Sequence, residues 1–309
     1  MTTGAATGLH VAVLGATGSV GRQVCRILAR RGHRVLAVAR RHAPHVAEHP
    51  FVPLDLVAAT PCQLADLFRS RRVEVVVNAA GQWGPDERDM RRAHEGLVAQ
   101  LLRAIALGSG TPRLVQIGSI HEYGTVPAGA LIDETTPTNP TNAYARTKLV
   151  GSEAVLAATR AGRATGLVLR PANMCGPYPP RETFLAALLE RLRAAGGTDE
   201  CVPISIGTAR RDFVDVRDVA EAVVRAAEST ATGQAVNLGR GVAVHIEELV
   251  DLLIRAVGFP AGRVRKAYGP VASRGGDWTR VDIRRARRLL GWSPRVSLAD
   301  SIRAMVDAR

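Results

Sequence analysis

"LHVAVLGATGSVG", residues 9–21, sets how the first half of this chain folds. An apolar run leads into three glycines at three-residue spacing, Gly15, Gly18 and Gly21. The run is typical of a buried strand, and the glycines predict a tight turn that opens a helix over about 18–31. Gly15 would permit the turn, Gly18 would let a phosphate approach the backbone, and Gly21 would let the helix pack closely on the strand. The stretch therefore predicts a strand–turn–helix unit with an anion site at the helix N-terminus.

Short apolar runs and helical stretches alternate beyond this unit. The predicted strands are 9–15, 33–39, 73–80, 113–119 and 166–171, and the predicted helices between them are about 18–31, 61–70, 86–107 and 142–161. Nearly continuous apolar strands separated by helices are typical of a parallel sheet covered on both faces. The predicted fold class is α/β, with a Rossmann-type doubly wound parallel sheet.

After Pro171 the pattern changes to loops rich in proline and glycine. A helix near 182–195, a strand at 234–239 and a helix at 246–257 predict a smaller, discontinuous C-terminal lobe. We expect the dinucleotide domain to comprise 1–171 plus about 212–240, and the substrate lobe to comprise about 172–211 and 241–309. The cleft between them would be the ligand site.

Composition and charge exclude several classes of protein. The chain has 309 residues and a formal net charge of +13, with arginines scattered throughout and no basic tail. A general preference for arginine explains this charge better than a nucleic-acid surface, so no nucleic-acid partner is expected. The four cysteines are widely spaced and form no C-x-x-C or metal-like grouping with histidine. With no basic leader and no apolar run approaching about 18 residues, the sequence predicts a cytoplasmic protein without disulfides, metal or membrane contact.

The end of the second predicted strand bears on the choice of cofactor. An acidic residue that holds the ribose 2′-hydroxyl is expected there, but the sequence reads "VARRH", with Arg40 and Arg41. Arginine suits a 2′-phosphate, so NADP(H) is favoured over NAD(H). Asp55 lies where an acid could bond the adenine amino group, and the small residues of "NAAG" (78–81) would let the cofactor lie against the backbone. The predicted cofactor-binding residues are Gly15, Thr17, Gly18, Ser19, Val20, Gly21, Arg40, Arg41, Asp55, Leu56, Asn78, Ala79, Ala80, Gly81, Tyr144, Lys148 and Pro171.

A lysine four residues after a tyrosine stands out in "NAYARTK" (142–148). The chain has 41 basic residues of the Lys and Arg types, and only Lys148 and Lys266 are lysine. On a helix, Tyr144 and Lys148 share a face and would point together into the cleft. A nearby ammonium lowers the pKa of a phenol, and its compact charge would also hold a ribose. The pair therefore predicts acid–base chemistry by Tyr144.

These motifs together resemble the extended short-chain dehydrogenase/reductase family, which contains nucleotide-sugar epimerases, dehydratases and reductases. The resemblance runs through "GATGSVG", "NAAG", "IGSIHEYG", "NAYARTK", "LRPANMCGP", "RRDFVDVRDVA", "AVNLGRG", "RGGD" and "LLGWSP". It implies that Ser119, Tyr144 and Lys148 are the catalytic residues. It also implies a homodimer formed through the helices near 86–107 and 142–161.

Departures from the family pattern narrow the predicted reaction. The 4,6-dehydratases carry Asp-Glu after the catalytic hydroxyl residue, where this chain has Ile120 and His121. "GSIHEYG" and "RDFVDVRDVA" instead look like the corresponding stretches of nucleotide-4-keto-6-deoxysugar reductases. The resemblance implies that the substrate-binding residues are Ser119, His121, Asn173, Arg211 and Arg274.

The sequence therefore predicts an NADPH-dependent ketoreductase of a nucleotide-activated keto-deoxysugar, with tyrosine as the general acid. A nucleotide-sugar epimerase using NAD(P), or a reductase of a carbonyl compound without a nucleotide, remains open. A dinucleotide-binding regulator without turnover is less favoured, because it would not need the Ser119, Tyr144 and Lys148 set.

Overall fold

A computed structural model of the chain describes residues 8–308 except 83, 85, 109, 198, 270 and 272–275. The strands are β1 His10–Leu14, β2 Arg34–Ala39, β3 Phe51–Pro53, β4 Val75–Asn78, β5 Arg113–Ile117, β6 Gly166–Pro171, β7 Asn173–Cys175, β8 Val202–Ile206, β9 Arg210–Asp215, β10 Ala235–Leu238, β11 Ala243–His245 and β12 Val264–Tyr268. The α-helices are α1 Ser19–Arg30, α2 Pro61–Ser70, α3 Glu87–Arg91, α4 Leu97–Leu107, α5 Ala143–Arg160, α6 Phe184–Ala195, α7 Val216–Glu228, α8 Ile246–Val257, α9 Arg284–Leu290 and α10 Leu298–Asp307. A π-helical turn, Arg92–Gly96, joins α3 to α4.

Seven parallel strands form the central sheet, in the order β10-β6-β5-β4-β1-β2-β3. The strand order reverses between β1 and β4, where Val13 pairs with Ala37 on one side and with Val77 on the other. Ligands of open α/β sheets bind at such a switch point, beyond the carboxyl ends of the strands. The structure confirms the α/β class and the Rossmann-type doubly wound sheet.

Buried apolar side chains cover both faces of this sheet. Alternate residues of β1 face opposite ways, with Val11 and Val13 packing against α1 and α7 and with Ala12 and Leu14 facing α2 and α4. These four side chains are at most 1% exposed, which explains why this part of the strand is a continuous apolar run. The sheet is therefore a rigid support for the turns at its carboxyl edge.

A smaller apolar cluster forms apart from the central sheet, beneath two small sheets. One sheet has the order β11-β9-β7, and β12 pairs with β8 in the other. The cluster takes its side chains mainly from α6, α8 and α10, including Leu192, Leu253 and Ile302, each 0% exposed. All the buried residues of this cluster except Phe213 lie in the segments that the sequence predicted as a substrate lobe.

One stretch packs differently from its expected place in the substrate lobe. Residues 281–292 join the apolar cluster of the central sheet, through Val281, Ala286 and Trp292. The Trp292 indole is 1% exposed, and its Nε1 donates to the carbonyl of Asp218 in α7, 2.8 Å away. Burial of this large ring against α7 stabilises the packing of 281–292 on the central sheet.

The part of the chain that the structure describes contains no disulfide bond. Cys25 and Cys175 are buried, Cys62 and Cys201 are exposed, and all four are free thiols. No helix in the described ranges is long and apolar enough to cross a membrane. No cluster of metal-binding side chains occurs among the described residues.

Candidate active site

The glycine turn between β1 and α1 is shaped for an anion. Gly15 has φ +75°, and a Cβ there would stand 2.8 Å from Ala80 Cα. A Cβ on Gly21 would stand 2.1 Å from the Gly15 carbonyl oxygen, so neither position admits a side chain. Gly18 is the N-cap of α1, without a side-chain cap or an acid in the first turn, and it is exposed. The first amides of the helix are therefore open to a phosphate group.

An arginine beside this turn fits a phosphate ligand as well. Arg22 lies in the first turn of α1, so its side chain extends back toward the helix N-terminus. One guanidinium nitrogen lies 2.9 Å from His45 Nδ1, and the guanidinium stacks 3.8 Å from the ring centre of Tyr178. Its Nε is buried and has no hydrogen-bond partner among the described residues. A buried donor without a partner is costly, so Arg22 and the glycine turn together fit a dinucleotide pyrophosphate.

Three of the four residues expected at the adenosine end lie on the surface. Arg40 and Arg41 follow β2 directly, are exposed, and make no ion pair among the described residues. Asp55 is also exposed, and its carboxylate accepts a hydrogen bond from the amide of Val57, 3.0 Å away. Leu56 beside it is buried. The structure therefore leaves both arginines available to a ligand.

The "NAAG" stretch leaves β4 and lies against the glycine turn. The amide of Ala79 donates to the Leu14 carbonyl, 3.0 Å away. Asn78 is 1% exposed, and its side chain donates to Gln116 in the next strand and accepts from Ala80. Asn78 therefore shapes the loop from inside the fold, whereas Ala79, Ala80 and Gly81 form its accessible edge.

Ser119 is held at the end of β5 by a short 3₁₀ helix, Ile120–Tyr123. Its hydroxyl accepts from the amide of His121, and its own amide donates to Glu122 Oε1, 2.8 Å away. This reciprocal arrangement is a capping box, which fixes the backbone of Ser119. The Ser119 hydroxyl also forms a hydrogen bond with the phenol of Tyr144.

Tyr144 and Lys148 lie one turn apart near the start of α5. Asn142 caps this helix by accepting from the amide of Ala145, 2.9 Å away. Lys148 is 6% exposed, and its Nζ donates to the carbonyl of Ile117, 3.1 Å away. Its Nζ lies 3.4 Å from where a Cβ on Gly81 would stand. The ammonium therefore lies between α5, the end of β5 and the loop at Gly81.

The expected lowering of the tyrosine pKa is not found. Burial raises the pKa of Tyr144 to about 12, against a smaller lowering by its hydrogen bond with Ser119. Burial also lowers the pKa of Lys148 to about 8, and Glu122 opposes that change. Desolvation of the phenol outweighs its hydrogen bond with Ser119, although Tyr144 as a whole residue is only half-buried. Tyr144 is therefore fully protonated at neutral pH.

Glu122 is a site residue that the sequence prediction missed. It is 0% exposed, accepts from Ser152 as well as from the Ser119 amide, and pairs with Arg170 at 2.7 Å. Arg170 in turn donates to the Tyr123 hydroxyl, 2.9 Å away. The serine followed three residues later by glutamate was a visible capping-box signal. This buried network fixes the position from which Ser119 presents its hydroxyl.

His94 was also missed, and no sequence signal marks it. It lies in the π-helical turn, is 3% exposed, and its ring meets the Tyr144 ring edge-on at 5.5 Å. Its Nδ1 lies 2.8 Å from the hydroxyl of Thr147, and its Nε2 accepts from the amide of Gln82 at 3.2 Å. Burial and the neighbouring Lys148 lower the pKa of His94 to about 3, so the ring is neutral.

Of the residues expected to bind substrate, Ser119 and His121 lie beside Tyr144, whereas Arg211 and Asn173 contact the backbone elsewhere. The His121 ring lies 6.3 Å from the Tyr144 ring, and burial with the Arg211 charge lowers its pKa to about 4. Arg211 donates to the carbonyl of Gly276, 2.6 Å away. The side-chain amide nitrogen of Asn173 donates to the backbone carbonyl of Asp212, 3.0 Å away. Arg274 lies outside the described residues.

Comparison with known proteins places this site in a family. The model of the NAD dependent epimerase/dehydratase family matches residues 11–239. The chain is 36% identical to dTDP-6-deoxy-L-talose 4-dehydrogenase (NAD(P)(+)) of Kitasatospora kifunensis, covering 97% of this chain and 95% of the relative. It is 30% identical to UDP-glucose 4-epimerase of Mycolicibacterium smegmatis, covering 97% and 98%.

A solved structure shows the same fold. UDP-glucose 4-epimerase of Thermotoga maritima, solved with UDP-glucose, superimposes with a TM-score of 0.85 at 22% identity, over 97% of this chain and 98% of that one. The chain belongs to the NAD dependent epimerase/dehydratase family and thus to the extended short-chain dehydrogenases/reductases. It is an NAD(P)-dependent enzyme, which confirms the family expected from the motifs.

Proposed function

We propose that this enzyme is an NADPH-dependent ketoreductase that acts at C4 of a nucleotide-linked 6-deoxysugar. The observation that carries the proposal is the hydrogen-bonded Ser119–Tyr144 pair, with Lys148 one turn along the same helix. A protonated phenol bonded to a serine hydroxyl is suited to hold a carbonyl oxygen and give it a proton.

The cofactor, when bound, supplies the hydride that reduces the ketone. The glycine turn and Arg22 would hold its pyrophosphate, and Arg40 or Arg41 would hold a 2′-phosphate. The loop of Ala79, Ala80 and Gly81 after β4, with Pro171 at the end of β6, would line the nicotinamide end. The exposed arginines and the lack of an acid at the end of β2 favour NADP(H) over NAD(H).

The side chains divide the remaining work. Ser119 would donate to the carbonyl oxygen of the substrate and polarise it. Tyr144 would transfer its proton to that oxygen as negative charge forms, because its pKa of about 12 keeps the proton available at neutral pH. Lys148, with a pKa of about 8, would stabilise the phenolate that remains.

The direction of the reaction does not change these roles. The Kitasatospora kifunensis relative is named as a 4-dehydrogenase, which is oxidation of the alcohol that a 4-ketoreductase produces. The same groups serve both directions, with Tyr144 accepting the proton during oxidation. The likeness to that relative, over almost the whole of both chains, supports chemistry at C4 of a deoxysugar.

Charged residues of the second lobe support a nucleotide diphosphate on the substrate. Arg211 is placed close enough to His121 to lower its pKa, so a cation lies near the reacting end of the cleft. Arg211, Asn173 and the undescribed Arg274 are the proposed diphosphate contacts, and a guanidinium binds such oxygens well. We also propose a cytoplasmic homodimer that would cover exposed apolar residues of α4 and α5, such as Leu107 and Val150.

A panel of nucleotide-linked 4-keto-6-deoxysugars tests the proposal. The purified enzyme is mixed with each sugar and with NADPH or NADH, and the reduced nicotinamide is followed by absorbance. Stoichiometric loss of NADPH with formation of the 6-deoxy-hexose is the expected result. The epimerase alternative, favoured by the likeness to UDP-glucose 4-epimerase, predicts a product isomer without net cofactor consumption. If a ketone that carries no nucleotide reacts equally well, the proposed requirement for a nucleotide-linked substrate is wrong.

A further inference from the structure

His94 connects two parts of the site that belong to different elements. Its Nε2 accepts from the amide of Gln82, in the loop that follows "NAAG". Its Nδ1 faces the hydroxyl of Thr147, which lies between Tyr144 and Lys148 on α5. A single buried ring thus bridges the cofactor loop and the catalytic helix.

The hydrogen bonds fix which nitrogen of His94 carries the proton. Thr147 has one hydroxyl proton, and it donates that proton to the carbonyl of Tyr144, 3.0 Å away. The hydroxyl must then accept from Nδ1–H of His94, which leaves Nε2 as the acceptor for the Gln82 amide. Both ring nitrogens are therefore satisfied by one neutral tautomer.

This arrangement rules out a proton-carrying role for His94. Its Nε2 lone pair is already used, and a second proton there would break the bond to Gln82 beside the Lys148 ammonium. The ring touches Tyr144 only through an edge-to-face contact. Through its two hydrogen bonds the ring instead fixes the distance between the 79–82 loop and the turn of α5 that carries Tyr144 and Lys148.

We propose that His94 is a positioning residue. It fixes the position of the Tyr144–Lys148 turn relative to the 79–82 loop, through one hydrogen bond to each. The effect on turnover rests on the function proposed above. Lys148 Nζ already lies close to Gly81, so a shift of α5 along the loop moves the ammonium and the phenol together. Misplacement of about 1 Å costs ~10²-fold in rate, and a partial loss of register should cost about 10-fold.

Two substitutions of His94 break one bond each. In His94→Asn the side-chain amide can take the place of Nδ1 and still donate to Thr147, but it does not reach Gln82. In His94→Gln the side-chain oxygen can take the place of Nε2 and accept from Gln82, while the donor to Thr147 is lost. Thr147→Val removes the same bond from the other side, and Thr147→Ser keeps it.

Two measurements separate positioning from loss of packing. Amide hydrogen exchange of residues 78–82 should rise in His94→Asn and stay at the wild-type level in His94→Gln and Thr147→Val. The kcat should fall about 10-fold in those three variants, with KM for the sugar within about threefold and with Thr147→Ser near wild type. The double variant Thr147→Val with His94→Gln should have nearly the same kcat as His94→Gln alone, because both changes remove the same hydrogen bond between His94 and Thr147.

Val98→Ala is the matched control, since Val98 is buried one turn along from His94 at the same contact of α4 with α5. It should lower the melting temperature without lowering kcat. If kcat in the His94 variants merely follows the melting temperature, as in the control, or stays within twofold of wild type, the proposal is wrong. Unchanged exchange at 78–82 in His94→Asn would also overturn it. A wild-type enzyme inactive on every keto-sugar refutes the proposed function instead, and the exchange result still decides the role of His94.

Discussion

The two ends of the proposed cofactor site are built in opposite ways. At the reacting end, Ser119 and Lys148 are 4% and 6% exposed, and each has defined hydrogen-bond partners within the protein. At the proposed adenosine end, Arg40 and Arg41 are exposed on the surface after β2 and form no ion pair among the described residues.

The difference follows from what each end has to do. Proton transfer needs groups held in place before the substrate arrives, so the scaffold fixes them through buried bonds. Recognition of a phosphate needs only charge within reach, and a flexible exposed guanidinium supplies it. Substitutions at the buried end should therefore change turnover, and those at the exposed end should change affinity.

The largest expected effect is at Tyr144. Tyr144→Phe removes the proton donor but keeps the ring that packs against His94, so kcat should fall about 10²–10⁴-fold. The dissociation constant for NADPH, measured by fluorescence titration, should stay within about threefold. Near-normal turnover would refute the catalytic assignment and remove the contrast between the two ends.

Lys148→Arg tests whether the buried end tolerates a change of shape at constant charge. The planar guanidinium does not fit the space between Ile117 and Gly81, so kcat should fall about 10²-fold. Lys148→Met should lower kcat and also weaken NADPH binding, because the ammonium would no longer stabilise the Tyr144 phenolate or hold the cofactor. Full activity of the arginine variant in steady-state assays would contradict the need for a compact charge.

At the exposed end, the double variant Arg40→Ala with Arg41→Ala should act on affinity alone. Loss of a charge-assisted contact to the 2′-phosphate costs about 1.5–3 kcal/mol, or roughly 10- to 150-fold in NADPH affinity. Affinity for NADH should change far less, and kcat at saturating NADPH should be near wild type. Equal weakening of both dinucleotides in titration calorimetry would argue against NADP(H) as the preferred cofactor.

The smallest effect concerns the pH dependence of stability at the buried end. The pKa of His94 is lowered to about 3 from an ordinary value of 6.5, so below pH 6.5 the unfolded chain binds a proton that the native site excludes. This contribution to stability is present above pH 6.5 and is lost as the pH falls toward 3. It amounts to about 2 kcal/mol between pH 6.5 and 5.

Comparison with His94→Gln isolates that contribution from other titrating groups. Burial raises the pKa of the Asp212 carboxyl to about 6, which stabilises the native state as the pH falls and acts in the opposite sense. The difference in unfolding free energy between the wild type and His94→Gln should therefore shrink as urea titrations move from pH 7 to pH 5. A difference independent of pH would show that His94 is not buried as a neutral ring.

The sequence alone determined the features that depend on local pattern. The glycine spacing at 15, 18 and 21 predicted the turn, because Gly15 has the positive φ that the turn requires and a Cβ on Gly21 would meet the Gly15 carbonyl within the same strand–turn–helix unit. The spacing of Tyr144 and Lys148 gave the pair, because residues four apart share a helix face. Long alternating elements were predicted closely, with Pro61–Ser70 and Gly166–Pro171 found at their expected bounds. Strands of three residues, such as Phe51–Pro53, were missed because they are too short for a periodic pattern.

Only the tertiary structure decided what surrounds the catalytic residues. His94 meets Thr147 from 53 positions away, and Arg170 meets Glu122 across 48, and no local pattern records either meeting. The order of strands in the sheet and the packing of α4 on α5 bring these groups together. Burial, which also follows from packing, set the tyrosine pKa above its ordinary value although the sequence showed a lysine beside it. A sequence specifies which charges are present, but the dielectric in which they act depends on the assembled fold.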